Sequence, residues 1–143
     1  MSASESVEEA PVPKLSAKDF KAITTLWERY GEAMGNKDGD AAAALYSDDS
    51  NCIGIDGTLM KGRQAIAEYY KSQLSSAYAN LRLTDVAFDI PQAITKDVAM
   101  VNGAWMVHGL KPEAVKVRST LILRHDRKGW CYVAARFMAA LPK

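Results

Sequence analysis

The chain has almost no net charge: among 143 residues, 18 Lys and Arg stand against 17 Asp and Glu, a formal charge of +1. A field that weak attracts neither nucleic acid nor an anionic membrane, so a small neutral or apolar ligand is the expected partner. Cysteine is scarce. Cys52 and Cys131 each sit inside an apolar run, far apart and without a Cys-x-x-Cys spacing, and read as small buried residues of a reducing compartment. The two histidines, His108 and His125, have no companion at metal-ligand spacing, and no metal is expected. No apolar run approaches the roughly 20 residues that span a bilayer, and the start lacks the apolar centre of a signal peptide. A cytoplasmic protein is expected. Also missing are G-x-x-x-x-G-K-[ST], G-x-G-x-x-G and G-x-S-x-G, so nothing calls for a nucleotide, a flavin or another cofactor.

What is present is a domain's worth of periodic pattern. Residues 1–14 are rich in Ser, Glu and Pro and are expected as a flexible tail; residues 15–143 form one domain, long enough to bury a core without a disulfide. Ser16 followed by Asp19 resembles a capping box. Phe20, Ile23, Trp27, Tyr30 and Met34 then recur at steps of three and four, the stripe of an amphipathic helix. Glycines from Gly31 to Gly39 punctuate its end, and Asp40 is expected to cap a short helix over Ala41 to Tyr46. Asn51 to Asp56 reads as a strand, Asp56-Gly57 as a turn, and Thr58 to Met60 as its partner. Gly62 opens a third helix with Ile66, Tyr69 or Tyr70, Leu74 and Ala77 on its face, stopping before Asn80.

Four strands fill the remainder: Leu81–Ile90, Val98–Val107, Ala114–Leu123 and Trp130–Met138, joined by turns short enough to imply antiparallel pairing. In the third of them Val115, Val117, Ser119, Leu121 and Leu123 share one side while Lys116, Arg118, Thr120 and Arg124 share the other. In the second both rows are largely apolar. The outer one, with Met100 and Met106 beside Ile122 of the next strand, is expected to meet a second copy of the chain, giving a homodimer through the outer face of the sheet. The class is α+β, helices on one face of a curved sheet.

The run Gly39-Asp40-Ala41-Ala42-Ala43-Ala44-Leu45-Tyr46-Ser47-Asp48-Asp49, then a strand, Asp56-Gly57-Thr58, Lys61-Gly62-Arg63 and Ala65-Ile66, resembles the nuclear transport factor 2-like superfamily, which includes ketosteroid isomerase and the SnoaL-like polyketide cyclases. Trp27, and Gly129-Trp130 through Val133-Ala134-Ala135, look most like its SgcJ/EcaC-type branch, whose members recur in enediyne and other antibiotic pathways. The resemblance covers roughly residues 15–139. It implies a cone-shaped, cystatin-like fold, a strongly bent antiparallel sheet wrapped on three N-terminal helices, with a pocket between them.

In the isomerase relatives a tyrosine on the first helix and a late-strand aspartate bind the oxyanion, and an aspartate on the first strand moves the proton. By the resemblance Tyr30 falls near the tyrosine's place, Gly54 at that of the proton-moving acid, and Ser119 near that of the late acid. Both carboxylates are absent, so steroid isomerisation is set aside. Asp56, two residues beyond Gly54, is the nearest acid; it reads either as a base at the pocket mouth or as the residue that makes the Asp-Gly turn. Tyr30 could donate to a ligand carbonyl from an apolar wall, or be a core tyrosine. Trp27, Cys52, Gly54, Trp105 and Ser119 are the expected substrate-binding lining. Arg63 is expected to pair near its helix, and Arg124, His125, Arg127 and Lys128 to form a solvated hairpin. Two function classes stay open: cofactor-independent cyclisation, dehydration or isomerisation of an apolar, polyketide-type carbonyl compound, and non-catalytic holding of an intermediate or docking on a synthase.

Overall fold

A computed structural model describes residues 13–141; all of the expected tail but Pro13 and Lys14 lies outside them. Helix α1 spans Ala17–Gly35 and opens as its sequence dictates: Ser16 is extended and its hydroxyl accepts the Asp19 amide at 3.0 Å. Its stripe buries Ile23, Leu26, Trp27, Tyr30, Ala33 and Met34, but Phe20, one turn before Ile23, is left 40% exposed. Gly31 does not interrupt the helix. The short α2 (Gly39–Ala43) is capped by Asp38, not Asp40, through a 3.0 Å bond from the Ala41 amide. It also ends earlier than expected, because Tyr46 is already in the sheet, 1% exposed and packed on Tyr132.

Strand β1 is therefore Tyr46–Ile53 and β2 is Leu59–Lys61; α3 follows at Arg63–Leu74, burying Ile66, Tyr70 and Leu74 and ending before Ala77, which is exposed. Then come β3 (Arg82–Phe88), β4 (Gln92–Thr95), β5 (Val98–His108), β6 (Val115–Asp126) and β7 (Gly129–Ala139). Strand β4 has no counterpart in the sequence reading. It pairs with β5 beyond the end of β3, so the one long partner strand serves both.

The sheet runs β2-β1-β7-β6-β5-β3, strongly curved and unclosed. It is mixed, where the expectation was antiparallel: the chain's last strand inserts beside its first, and β1 and β7 run parallel. Two bulges bend it. Asp85, at φ 53°, lies where β3 slips by one residue against β5, and Val133 is the extra residue where β7 slips against β6. The alternation expected for β5 and β6 is observed: Ala99, Val101, Gly103, Trp105 and Val107 and, opposite, Val117, Ser119, Leu121 and Leu123 are buried beneath the helices. The result is the α+β cone, with its core between the helices and the concave face.

Ser47, Asp48 and Asp49, turn formers by composition, lie within β1 because charge partners sit beside them. Arg63 reaches Asp48 at 3.0 Å and the Tyr46 carbonyl at 2.8 Å, and Arg124 grips both carboxylate oxygens of Asp49 at 3.2 and 3.0 Å. The Arg124 hydrogen bonds, helped by Ser47, hold the Asp49 carboxyl down at about 2 from its ordinary 3.8. A pKa depressed by folding contributes stability that is complete above the unfolded value and vanishes as the group protonates. Arg124→Gln is therefore expected to lower the melting temperature slightly at pH 6, with the gap from wild type closing between pH 4 and pH 2, read from thermal melts in dilute salt. The effect is small because the pair is exposed and screened.

Candidate functional site

The concave face and helices nearly fill the cone with aromatic rings. Trp27 meets Trp105 edge-on at 5.1 Å and Phe88 at 5.7 Å; Tyr30 stacks on Phe137 at 6.2 Å, and Phe137 meets Trp105 at 5.8 Å. What remains open is a cavity of about 30 Å³, lined by Tyr30, Met34, Gly54, Tyr69, Tyr70, Tyr78, Trp105 and Phe137 among others. That is room for a water or two, against the roughly 300 Å³ at which small-molecule sites begin. Outside it, sharing Ile55 and Tyr78, is a wider groove of about 480 Å³ bounded by Asp56, Leu110, Lys111, Glu113, Val115, Lys116 and Ala139. Cavity and groove together make one site: a narrow apolar throat behind a broad mouth.

Of the residues singled out from the sequence, Tyr30, Gly54 and Trp105 line the throat and Asp56 lies on the mouth. Trp27, Cys52 and Ser119 do not line either space. Trp27 packs behind Trp105, and the Cys52 thiol faces the Tyr46 hydroxyl at 4.0 Å, burial pushing its pKa up to about 11. Ser119 is 2% exposed, and its hydroxyl makes no hydrogen bond among the described residues. A buried hydroxyl without a partner costs about 1–3 kcal/mol. Ser119→Ala is accordingly expected to leave stability unchanged or raise it by about 1 kcal/mol, which a urea unfolding curve would resolve.

Tyr30 is at the bottom of the throat, where its hydroxyl and that of Tyr70 lie 3.0 Å apart. Burial raises the pKa of both phenols well above the ordinary value, so each is a neutral donor at any physiological pH. A ligand oxygen arriving there would have to share or displace that bond.

At the mouth the structure brings together a group the sequence reading missed. Tyr69, half-buried on α3, and Tyr78, in the turn after it, have hydroxyls 3.0 Å apart. Both phenols have pKa values raised, chiefly by burial. Asp56 is beside Tyr69. Partial burial pushes its carboxyl pKa up, but the 3.0 Å hydrogen bond from the Thr58 amide, with the neighbouring Thr58 and Tyr69 hydroxyls, outweighs that and leaves it below 3.8. Asp56 thus makes the turn and also keeps an ionised carboxylate at the pocket rim. It does so from the turn itself: β1 ends at Ile53, short of Asp56, to which the strand was expected to run.

Gly54 explains the arrangement. A β-carbon there would lie 2.7 Å from the Tyr69 hydroxyl and 3.3 Å from Asp56 Oδ1. The missing side chain is the space into which Tyr69 turns. Only the adjacent tyrosines of α3 hinted at this, and helical periodicity cannot say which of Tyr69 and Tyr70 faces a pocket.

A sequence profile described as the SnoaL-like domain matches residues 23–135. No curated protein matches the chain. Among solved structures, a domain of unknown function with a cystatin-like fold from Nostoc punctiforme superposes with a TM-score of 0.80 at 19% identity, covering 89% of this chain and 80% of that one. A ketosteroid isomerase-like protein from Erwinia carotovora atroseptica gives 0.71 at 19% identity over 89% of this chain and all (100%) of that one. A nuclear transport factor 2-like protein of unknown function from Pseudomonas putida gives 0.74 at 19% identity over 90% and 92%. Identities this low speak for the fold alone; the profile match, across most of the chain, identifies it as a member of the SnoaL-like domain family.

Proposed function

We propose that the protein binds a small apolar carbonyl compound at the mouth of the cone and moves a proton on it without a cofactor, by cyclisation, dehydration or isomerisation. The observation that carries this reading is the ionised Asp56 set beside the neutral hydroxyls of Tyr69 and Tyr78 over an apolar throat. A carboxylate and a phenol held in different charge states within one site are the elements of acid–base catalysis. The body of the ligand would lie in the wider groove, with its narrow end toward Tyr30 and Tyr70; a polyketide-type intermediate of an antibiotic pathway, as in the SgcJ/EcaC-type branch, and a cytoplasmic setting fit that shape. Native mass spectrometry with extracts of the producing organism would supply the ligand. With it, Asp56→Asn should abolish turnover while retaining binding, and unchanged turnover in that variant would remove the catalytic claim. Tyr30→Phe separates the two donors: loss there places the ligand oxygen at the throat bottom.

One observation favours a second reading, a non-catalytic carrier or synthase-docking protein. The throat is almost filled, and the Tyr30 hydroxyl is already engaged by Tyr70. A ligand recovered unchanged from the wild type, with affinity insensitive to Asp56→Asn, would decide for it.

We also propose that the convex face of the sheet pairs with a second copy, through Met100, Met106 and Ile122, each half-buried in the single chain. Ile122→Lys should shift the species seen by analytical ultracentrifugation from dimer to monomer.

A further inference from the structure

A second groove, of about 580 Å³, lies at the opposite end of the β6–β7 ribbon from the cone mouth, and the proposed function makes no use of it. Lys116 of β6 borders the mouth and Arg124 of the same strand borders this groove, roughly 27 Å away at strand rise. Its base is apolar, with Leu26, Leu45 and Trp130; its walls are the second half of α1, the start of β1 and the β6–β7 hairpin. Trp130 is held there by a 3.0 Å bond from its indole N–H to Asp19 and by the His125 ring stacked on it at 5.3 Å.

The charges bordering this groove do not cancel. All three carboxylates are engaged: Asp48 by Arg63, Asp49 by Arg124 and the Ser47 hydroxyl, and Asp126 by the Lys128 amide at 2.9 Å and the Cys131 thiol at 3.7 Å. Arg29, Arg127 and Lys128 border the same groove, and their side chains have no ion-pair or hydrogen-bond partner among the described residues. Asp126 is turned into its own hairpin and leaves Arg127 and Lys128 free. Asp126 is the one carboxylate of the three without a cation partner, against three such cations, so the groove keeps an excess of positive charge in a chain whose total is only +1.

We infer that this groove is a binding site for a small organic anion, a carboxylate with an apolar body: the acid group takes Arg29, Arg127 and Lys128, and the body lies over Leu26, Leu45 and Trp130. The volume is within the range of small-ligand sites. Arginine and lysine at a groove edge above an apolar base select for charge at one end and bulk at the other.

The decisive comparison is 4-phenylbutyrate against 4-phenylbutanol, the same body with and without the charge, titrated into isotopically labelled protein at low ionic strength. The acid should shift the backbone amides of Arg29, Leu45 and Lys128 to Cys131 and bind about tenfold more tightly than the alcohol. The triple variant Arg29→Gln, Arg127→Gln, Lys128→Gln should lose that preference; exposed charge contacts are worth roughly two- to fivefold each. Raising salt should erase it as well. All three side chains are exposed, so an unchanged thermal melt is expected and serves as the folding control. Shifts confined to Ile55, Tyr78 and Val115, equal affinities for acid and alcohol, or a triple variant that still prefers the acid would each overturn the assignment. None of these outcomes depends on Asp56 or Tyr69, so the test stands apart from the fate of the cone-mouth site.

Discussion

Replacing Gly109 by alanine is expected to cost about 3–5 kcal/mol and to lower the melting temperature by roughly 10–15 °C. Two effects add. Gly109 closes strand β5 with φ at 91°, where an L side chain is strained by about 1–2 kcal/mol. A β-carbon would also run into the backbone carbonyl of Asn80, which belongs to the turn between α3 and β3 and cannot rotate aside as a side-chain tip could. Gly129 supplies the control. It has φ at 109° in the β6–β7 turn, yet a β-carbon there would meet nothing within 4 Å, so Gly129→Ala should show the backbone strain alone. If the two variants melt together, the contact with Asn80 relaxes at little cost and the α3–β3 connection is softer than its packing implies.

The same turn shows how far sequence could reach. The strand expected over Val98–Val107 ends at His108, one residue later and just before Gly109, since punctuation is a local property. That a carbonyl from residue 80 would press on residue 109 is a long-range fact, and no local signal holds it. The contrast recurs across the fold. The α1 stripe and the β6 alternation were legible because each buries one side against the core, and burial writes a period into sequence. Strand β1 was misplaced because Ser47-Asp48-Asp49 looks like a turn until Arg63 and Arg124, 14 and 75 residues beyond Asp49, hold the two aspartates in place. Local preference gave way to tertiary partners. The parallel β1–β7 pair was invisible for a similar reason, since nothing in the sequence of β7 says that β1 will be its second neighbour.

The site divides along the same line. Tyr30 and Trp105 could be assigned to the concavity from period alone, and both line the throat. Trp27 shares their period but packs one layer behind, a depth that period does not encode. The Asp56, Tyr69 and Tyr78 group stayed hidden because it depends on the absence of a side chain at Gly54, and a glycine in a turn is ordinarily read as a backbone requirement. Here its use is steric.

Trp105→Ala carries the second large effect, and it bears on whether the cone ever opens. Trp105 is 4% exposed between Trp27 and Phe137, with one edge on the throat. Removing a buried tryptophan costs about 3–5 kcal/mol, or a fall of roughly 10–15 °C in melting temperature. The vacated space joins the throat and has the shape of an indole ring. Free indole at about 100 times its dissociation constant would return roughly 2.7 kcal/mol by binding only the folded state. Half or more of the lost melting temperature should then reappear in the variant, while wild type, with about 30 Å³ free, should not respond. A wild-type protein that indole stabilises equally would mean that Tyr69 and Tyr78 swing aside and that the filled interior is one state of a breathing pocket, which would favour catalysis in the throat. An indifferent wild type would keep the ligand at the mouth, where the Asp56 carboxylate borders the groove beside Tyr69.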